Sequence, residues 1–141
     1  MTSSTQSNPL DRLFVSQKVD LELLAETILP YVQLYASAAD SGEILFTEEW
    51  GRLNLKGKLL TYLLGRKALS LSGRLPEYEE GATPSQIEAE TREKGGSVRP
   101  TLSHLVEEKL VRVNQTGAER KYMVPNHALK QIHDQLSQGK E

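Results

Sequence analysis

The chain has 141 residues, 38% hydrophobic and 26% charged, with a formal net charge of −2; this fits one globular core with at most a helical extension and excludes a uniformly basic surface. It holds no cysteine, which removes disulfides, thiol nucleophiles and most structural zinc sites and suits a reducing, cytoplasmic compartment. No apolar run approaches the ~20 residues of a membrane helix, and residues 1–9 are polar without an apolar signal core, so a disordered tail, no export and no membrane partner are expected.

Residues 11–17 predict a short helix. A clearer helix is predicted over residues 20–40, where Leu21, Leu24, Ile28, Val32, Tyr35 and Ala39 recur at three- and four-residue steps behind Asp20 as N-cap. Pro30 falls inside this stretch and predicts a kink or a second helix start. A loop at 39–43 leads to a short strand or extended segment over 43–47. The next helix spans 53–69, apolar over most of its girth through Leu59, Leu60, Tyr62, Leu63 and Leu64, so burial on two sides is expected. Gly57 and Gly65 either weaken it or admit close packing. Residues 70–82 carry Gly, Pro and charge and predict a loop.

Helix-start signals then coincide. Thr83 caps, Pro84 suits the first helical position, and Gln86 completes a capping box. This helix is expected to run to Lys94 and stop at Gly95–Gly96. A second helix follows, with Ser97 as N-cap, Pro100 in the first turn, and Val98, Thr101, Leu102, Leu105 and Val106 on its inner face. After Lys109 the period changes to alternation: residues 110–115 and 121–125 predict two strands around a Gly-containing turn, with Val111 and Val113 matched by Tyr122 and Val124. Asn126 is placed to cap a last helix with Leu129, Ile132 and Leu136 on one face, and residues 137–141 are expected to fray.

The order helix, capped helix, tight turn, helix, hairpin is the plan of a winged helix-turn-helix. Residues 98–112 (VRPTLSHLVEEKLVR) resemble the recognition helix and wing entry of prokaryotic winged-helix transcriptional regulators. Residues 117–125 (GAERKYMVP) stand where those proteins have a basic hairpin with an aromatic in its return strand. The resemblance covers residues 53–136 and is strongest over 84–124. It departs at Lys109, where many relatives have glycine; a lysine there takes a costly positive φ or ends the helix another way. The fold class expected is mainly α with a small β-hairpin, a winged helix-turn-helix with an N-terminal helical extension. Residues 1–9 would be a tail, 10–50 a helical assembly segment and 51–137 the winged domain.

The resemblance implies double-stranded DNA as partner and a role in transcription regulation or in plasmid or phage maintenance. Charge is distributed accordingly: residues 1–50 hold eight carboxylates against Arg12 and Lys18, a charge of −6, which leaves +4 on the remainder. The outward face of the recognition helix would offer Ser97, Arg99, Pro100, Ser103 and His104, with Arg99 the candidate for guanine because its planar fork pairs bidentately. Glu107, one turn on, would be held away from phosphate. Asn114, Gln115, Thr116, Arg120 and Lys121 of the wing would meet phosphates or the minor groove. Thr83 and Ser85, at a helix N-terminus, suit a phosphate, although capping alone accounts for both. One such module offers few basic contacts, so a homodimer through the N-terminal helix, the C-terminal helix or both is expected on a palindromic site.

No cofactor and no enzymatic activity are expected. His127 and His133, six apart on one predicted helix, do not share a face, and no cysteine supports them as metal ligands. Glu79–Glu80 and Glu107–Glu108 read as solvated charge rather than a paired acid and base. Phe46 and Trp50 are expected to anchor the N-terminal segment to the main core. A protein-binding adaptor without DNA contact is the alternative function, favoured by the thin basic face and the acidic balance.

Overall fold

A computed structural model describes residues 9–10, 20–36, 42–76 and 79–138, without the side chains of residues 36 and 116. The helix predicted over 11–17, most of the tail and the tip of the loop after residue 36 lie outside the described residues, as do residues 139–141.

Helix α1 (Leu21–Ile28) is capped as the sequence predicts: Asp20 Oδ1 accepts from the Leu23 amide at 3.0 Å. It is shorter than expected. Pro30 ends the helix rather than kinking it, and the following residues form strand β1 (Val32–Ala36), paired antiparallel with β2 (Gly42–Phe46) from Val32 opposite Phe46 to Ala36 opposite Gly42. Val32, Leu34 and Tyr35 satisfy a three-to-four spacing and an extended chain alike. With no proline N–H to continue the ladder, and with β-branched and aromatic residues favouring a pleated surface, the strand wins. Among the described residues, the stretch predicted as one helix over 20–40 is instead a helix followed by the first strand of a hairpin.

Thr47 caps the short helix α2 (Glu48–Gly51) and donates its hydroxyl to the Pro30 carbonyl at 2.7 Å, tying the hairpin's end to the turn after α1. Trp50 stacks on Phe46 with centroids 3.9 Å apart and donates from Nε1 to the Lys58 carbonyl at 3.3 Å. These two aromatics are the expected junction with the main core.

Helix α3 (Leu55–Leu71), capped by Asn54, is the centre of the molecule. Leu59, Leu60, Tyr62, Leu63 and Leu64 are all buried, because α1, both strands of the first hairpin and the helices and strands that follow pack around it. Gly65 serves close packing: a Cβ there would stand 3.0 Å from Ile44 Cδ1 of β2.

Helix α4 (Pro84–Thr91) has both halves of the predicted capping box, Thr83 Oγ1 accepting from the Gln86 amide and Gln86 Oε1 from the Thr83 amide. It ends at Thr91 rather than Lys94, because Arg92 takes the left-handed conformation with φ +61°. The glycines do not stop a helix; they begin one. Helix α5 (Gly95–Glu107) starts after Lys94, which gives no side-chain cap, so Ser97 lies inside the first turn and Pro100 deeper than expected. Val98, Leu102 and Leu105 face inward as predicted. The lysine in place of glycine takes the costly option: Lys109 has φ +65°, and the Leu110 amide donates back to the Leu105 carbonyl at 3.0 Å, with Leu110 fully buried behind it. This is a Schellman ending built on lysine.

Strands β3 (Arg112–Thr116) and β4 (Glu119–Met123) pair antiparallel around Gly117 and Ala118, with Gly117 at φ +63°. Ala82 bridges to Tyr122 through reciprocal hydrogen bonds of 3.0 and 2.8 Å, which joins the chain before α4 to the hairpin. Asn126 opens a 3-10 turn (Asn126–Ala128) after Pro125. Helix α6 (Leu129–Gln138) follows and buries Leu129, Ile132 and Leu136. One hydrophobic cluster runs from Leu24 through α3, α5 and the second hairpin to Leu136. Helices α3, α4 and α5, the three-residue turn between the last two, and the β3–β4 hairpin make a winged helix-turn-helix, mostly helical with two small antiparallel hairpins.

Candidate nucleic-acid interface

Helix α5 packs on α3 and α4 through its inner residues. Its opposite side is open: Ser97, Arg99, Pro100, Ser103, His104 and Glu107 are all exposed. The structure thus brings the predicted helix residues onto one solvent face, left uncovered by the described N-terminal elements. Lys109 and Lys94, exposed at its two ends, add positive charge that the sequence reading did not single out. The face also carries acid. Glu107 lies 3.7 Å from His104 Nδ1, and Glu108 pairs with Lys56 of α3 at 2.7 Å.

Arg99 has a partner the sequence did not announce. Its Nε lies 3.2 Å from Glu88 Oε2 of α4, with the Arg99 side chain 58% and the Glu88 side chain 24% exposed. The two residues belong to different helices, so no helical spacing links them; only the packing of α4 against α5 does.

The wing residues divide by the strand alternation. Asn114 opposes Lys121 and Arg112 opposes Met123 on one face; Gln115 opposes Arg120 on the other, in line with Val113 and Tyr122. Near the core, Tyr122 is buried; at the tip, Gln115 and Arg120 are exposed. Asn114 Nδ2 donates a weak bond to Met123 Sδ at 3.4 Å. Thr116 takes the register position opposite Glu119, so an acid stands beside the bases at the tip. Thr83 is spent on the capping box, while Ser85 is exposed on the first turn of α4.

Behind the face lies a polar seam that sequence reading missed. Lys67 Nζ meets Glu80 Oε2 at 2.9 Å, both side chains at most 9% exposed. Glu80 is therefore a buried half of an ion pair rather than solvated charge. Lys67 stands in an apolar helix and Glu80 in a loop, so the pairing has no local signature. Arg66, also buried, donates from Nε to the Glu80 carbonyl at 3.1 Å and reaches the Glu79 carbonyl. The Tyr62 hydroxyl donates to Glu90 Oε1. Burial, and then the Glu90 carboxylate, push the Tyr62 hydroxyl far above the ordinary tyrosine range, with Arg66 opposing. These bonds tie the loop before α4, and α4 itself, to α3, which fixes the platform on which α5 rests. Among the described residues no cluster of His, Asp and Glu has the arrangement of a metal site, and no helix is long and apolar enough to cross a membrane.

No family model and no curated protein matches the chain. A solved structure similar to it is the crystal structure of MepR, a transcription regulator of the Staphylococcus aureus multidrug efflux pump MepA: 16% of residues are identical, 99% of this chain and 82% of that one are covered, and the TM-score is 0.39.

Proposed function

We propose that the chain is a non-enzymatic, sequence-specific double-stranded DNA-binding regulator of the cytoplasm that works as a homodimer. The observation that carries this reading is the uncovered outward face of α5, with Arg99 and His104 on it, beside a hairpin whose tip exposes Gln115 and Arg120. In a winged-helix geometry the helix enters the major groove and the hairpin lies along the flanking backbone. Arg99 reads guanine, Ser97, Ser103 and His104 supply weaker bonds, and Asn114, Gln115, Thr116, Arg120 and Lys121 hold phosphate, with Ser85 and the capped start of α4 near a further phosphate. Residues 51–137 do the reading and residues 10–50 the assembly.

The dimer half of the proposal is supported by an uncharged groove of about 620 Å³ lined by Leu21, Ile28, Leu29, Val32, Leu34 and Leu71, with Leu29 73% and Leu21 63% exposed. A surface without charges is complementary to its own copy under a two-fold axis. The stripe of α6 is consumed inside the chain, so the N-terminal elements, rather than the C-terminal helix, serve the pairing.

Gel retardation of a random duplex by the full chain tests the function. Retention at low salt that falls steeply as salt rises is expected; no retention at any salt would reject DNA binding. The second reading is a protein-binding adaptor. It is favoured by the carboxylates on and around the α5 face, Glu88 against Arg99 and Glu107 against His104, and it predicts no retention.

A further inference from the structure

Glu88 projects from α4 toward the start of α5. Its Oε2 is shielded from solvent and takes part in no hydrogen bond. A shielded carboxylate oxygen left in that state is costly and calls for a reason. Two neighbours define its place. Arg99 Nε is 3.2 Å away, and the backbone of Gly95 lies so close that a Cβ there would stand 2.8 Å from the same oxygen. Helix α5 has no side-chain cap, so the carboxylate also faces the positive end of that helix. Gly95 is the residue that leaves it room. Among the described residues Arg99 makes no hydrogen bond of its own, so the two terminal nitrogens of its guanidinium are available to a ligand.

We propose that Glu88 is a positioning residue for base recognition: it holds Arg99 by its Nε edge, directs the terminal fork outward to guanine, and keeps the guanidinium off the phosphates. The inference rests on the DNA-binding reading above. An arginine on a free stem loses conformational freedom when it docks, and a preset one loses less. Phosphates outnumber base edges as partners for a loose guanidinium. The carboxylate thus trades general affinity for discrimination.

The test selects bound duplexes from a random pool with the full chain as wild type, Arg99→Ala, Glu88→Gln and Gly95→Ala, and follows with salt titrations on random duplex. Arg99→Ala identifies the guanine position by loss of preference there. Glu88→Gln is expected to lower that same preference about fivefold or more, to bind random duplex more tightly, and to steepen the logarithmic salt slope by about one. Gly95→Ala should act in the same direction, because its methyl displaces the flexible carboxylate, while its melting temperature holds or rises since alanine favours a helix. Unchanged guanine preference in both variants overturns the proposal while leaving DNA binding intact. A parallel loss on every sequence together with a lower melting temperature assigns Glu88 a structural role and overturns it too. Absence of any duplex binding by the wild type removes the DNA reading itself.

Discussion

Lys109 sits at φ +65°, a conformation that an L residue other than glycine or asparagine adopts at a cost. Lys109→Gly is expected to raise the unfolding free energy by about 0.5–1 kcal/mol, read from urea denaturation at neutral pH. The Lys67–Glu80 pair works the other way. Removing one partner leaves an uncompensated buried charge, so Glu80→Ala should cost about 3–5 kcal/mol in the same assay. Tyr62 adds a pH signature. Its hydroxyl keeps its proton in the fold at pH values where the unfolded chain, with a tyrosine pKa of about 10, has lost it. Stability is complete below pH ~10 and declines above it as the unfolded state sheds the proton first. Tyr62→Phe should flatten that alkaline decline in thermal melts recorded across pH; an unchanged slope would assign the decline to other groups.

At the scale of elements, what was legible had a local cause. The capping box at Thr83, the inward leucines of α5, the alternation of β3 and β4 and the cap at Asp20 each depend on residues within one turn or one strand pair, so the pattern carries them. Of the first hairpin, the segment that forms β2 was legible, whereas β1 was not, because residues 32–35 satisfy helical and extended spacing alike and the pairing partner lies beyond a loop. The start of α5 was misplaced because a glycine pair reads as a stop, whereas here the absence of a Cβ at Gly95 makes room for a carboxylate from the previous helix. Of the candidate site, the exposed face of α5 was foreseen. The ion pair that disciplines its arginine was not, since it needs the crossing of two helices. The hairpin supplies its own test. Arg120→Ala with Lys121→Ala should weaken binding to every sequence alike and reduce the salt slope by about two. Loss confined to one operator position would instead make the wing a reader of bases.

At the scale of the whole molecule, α3 holds the apolar groove proposed for pairing and the outward face of α5 apart. The apolar groove gathers Ala68 and Leu71 at its C-terminal end, whereas Lys56 and Lys58 near its N-terminal end pair with Glu108 beside α5 and Glu93 beside α4. Light scattering should give twice the chain mass at working concentration, and Leu29→Glu with Leu71→Glu should return it to one with the far-UV circular dichroism of the fold retained, because both leucines are exposed in the single chain. A single-chain mass for the wild type would reject the dimer.

A helix of 17 residues is about 25 Å of stiff rod. In the proposed two-fold pair, with the groove at one end of this rod and the Lys56–Glu108 contact beside α5 near the other, the length of α3 would set how far each outward face stands from the symmetry axis.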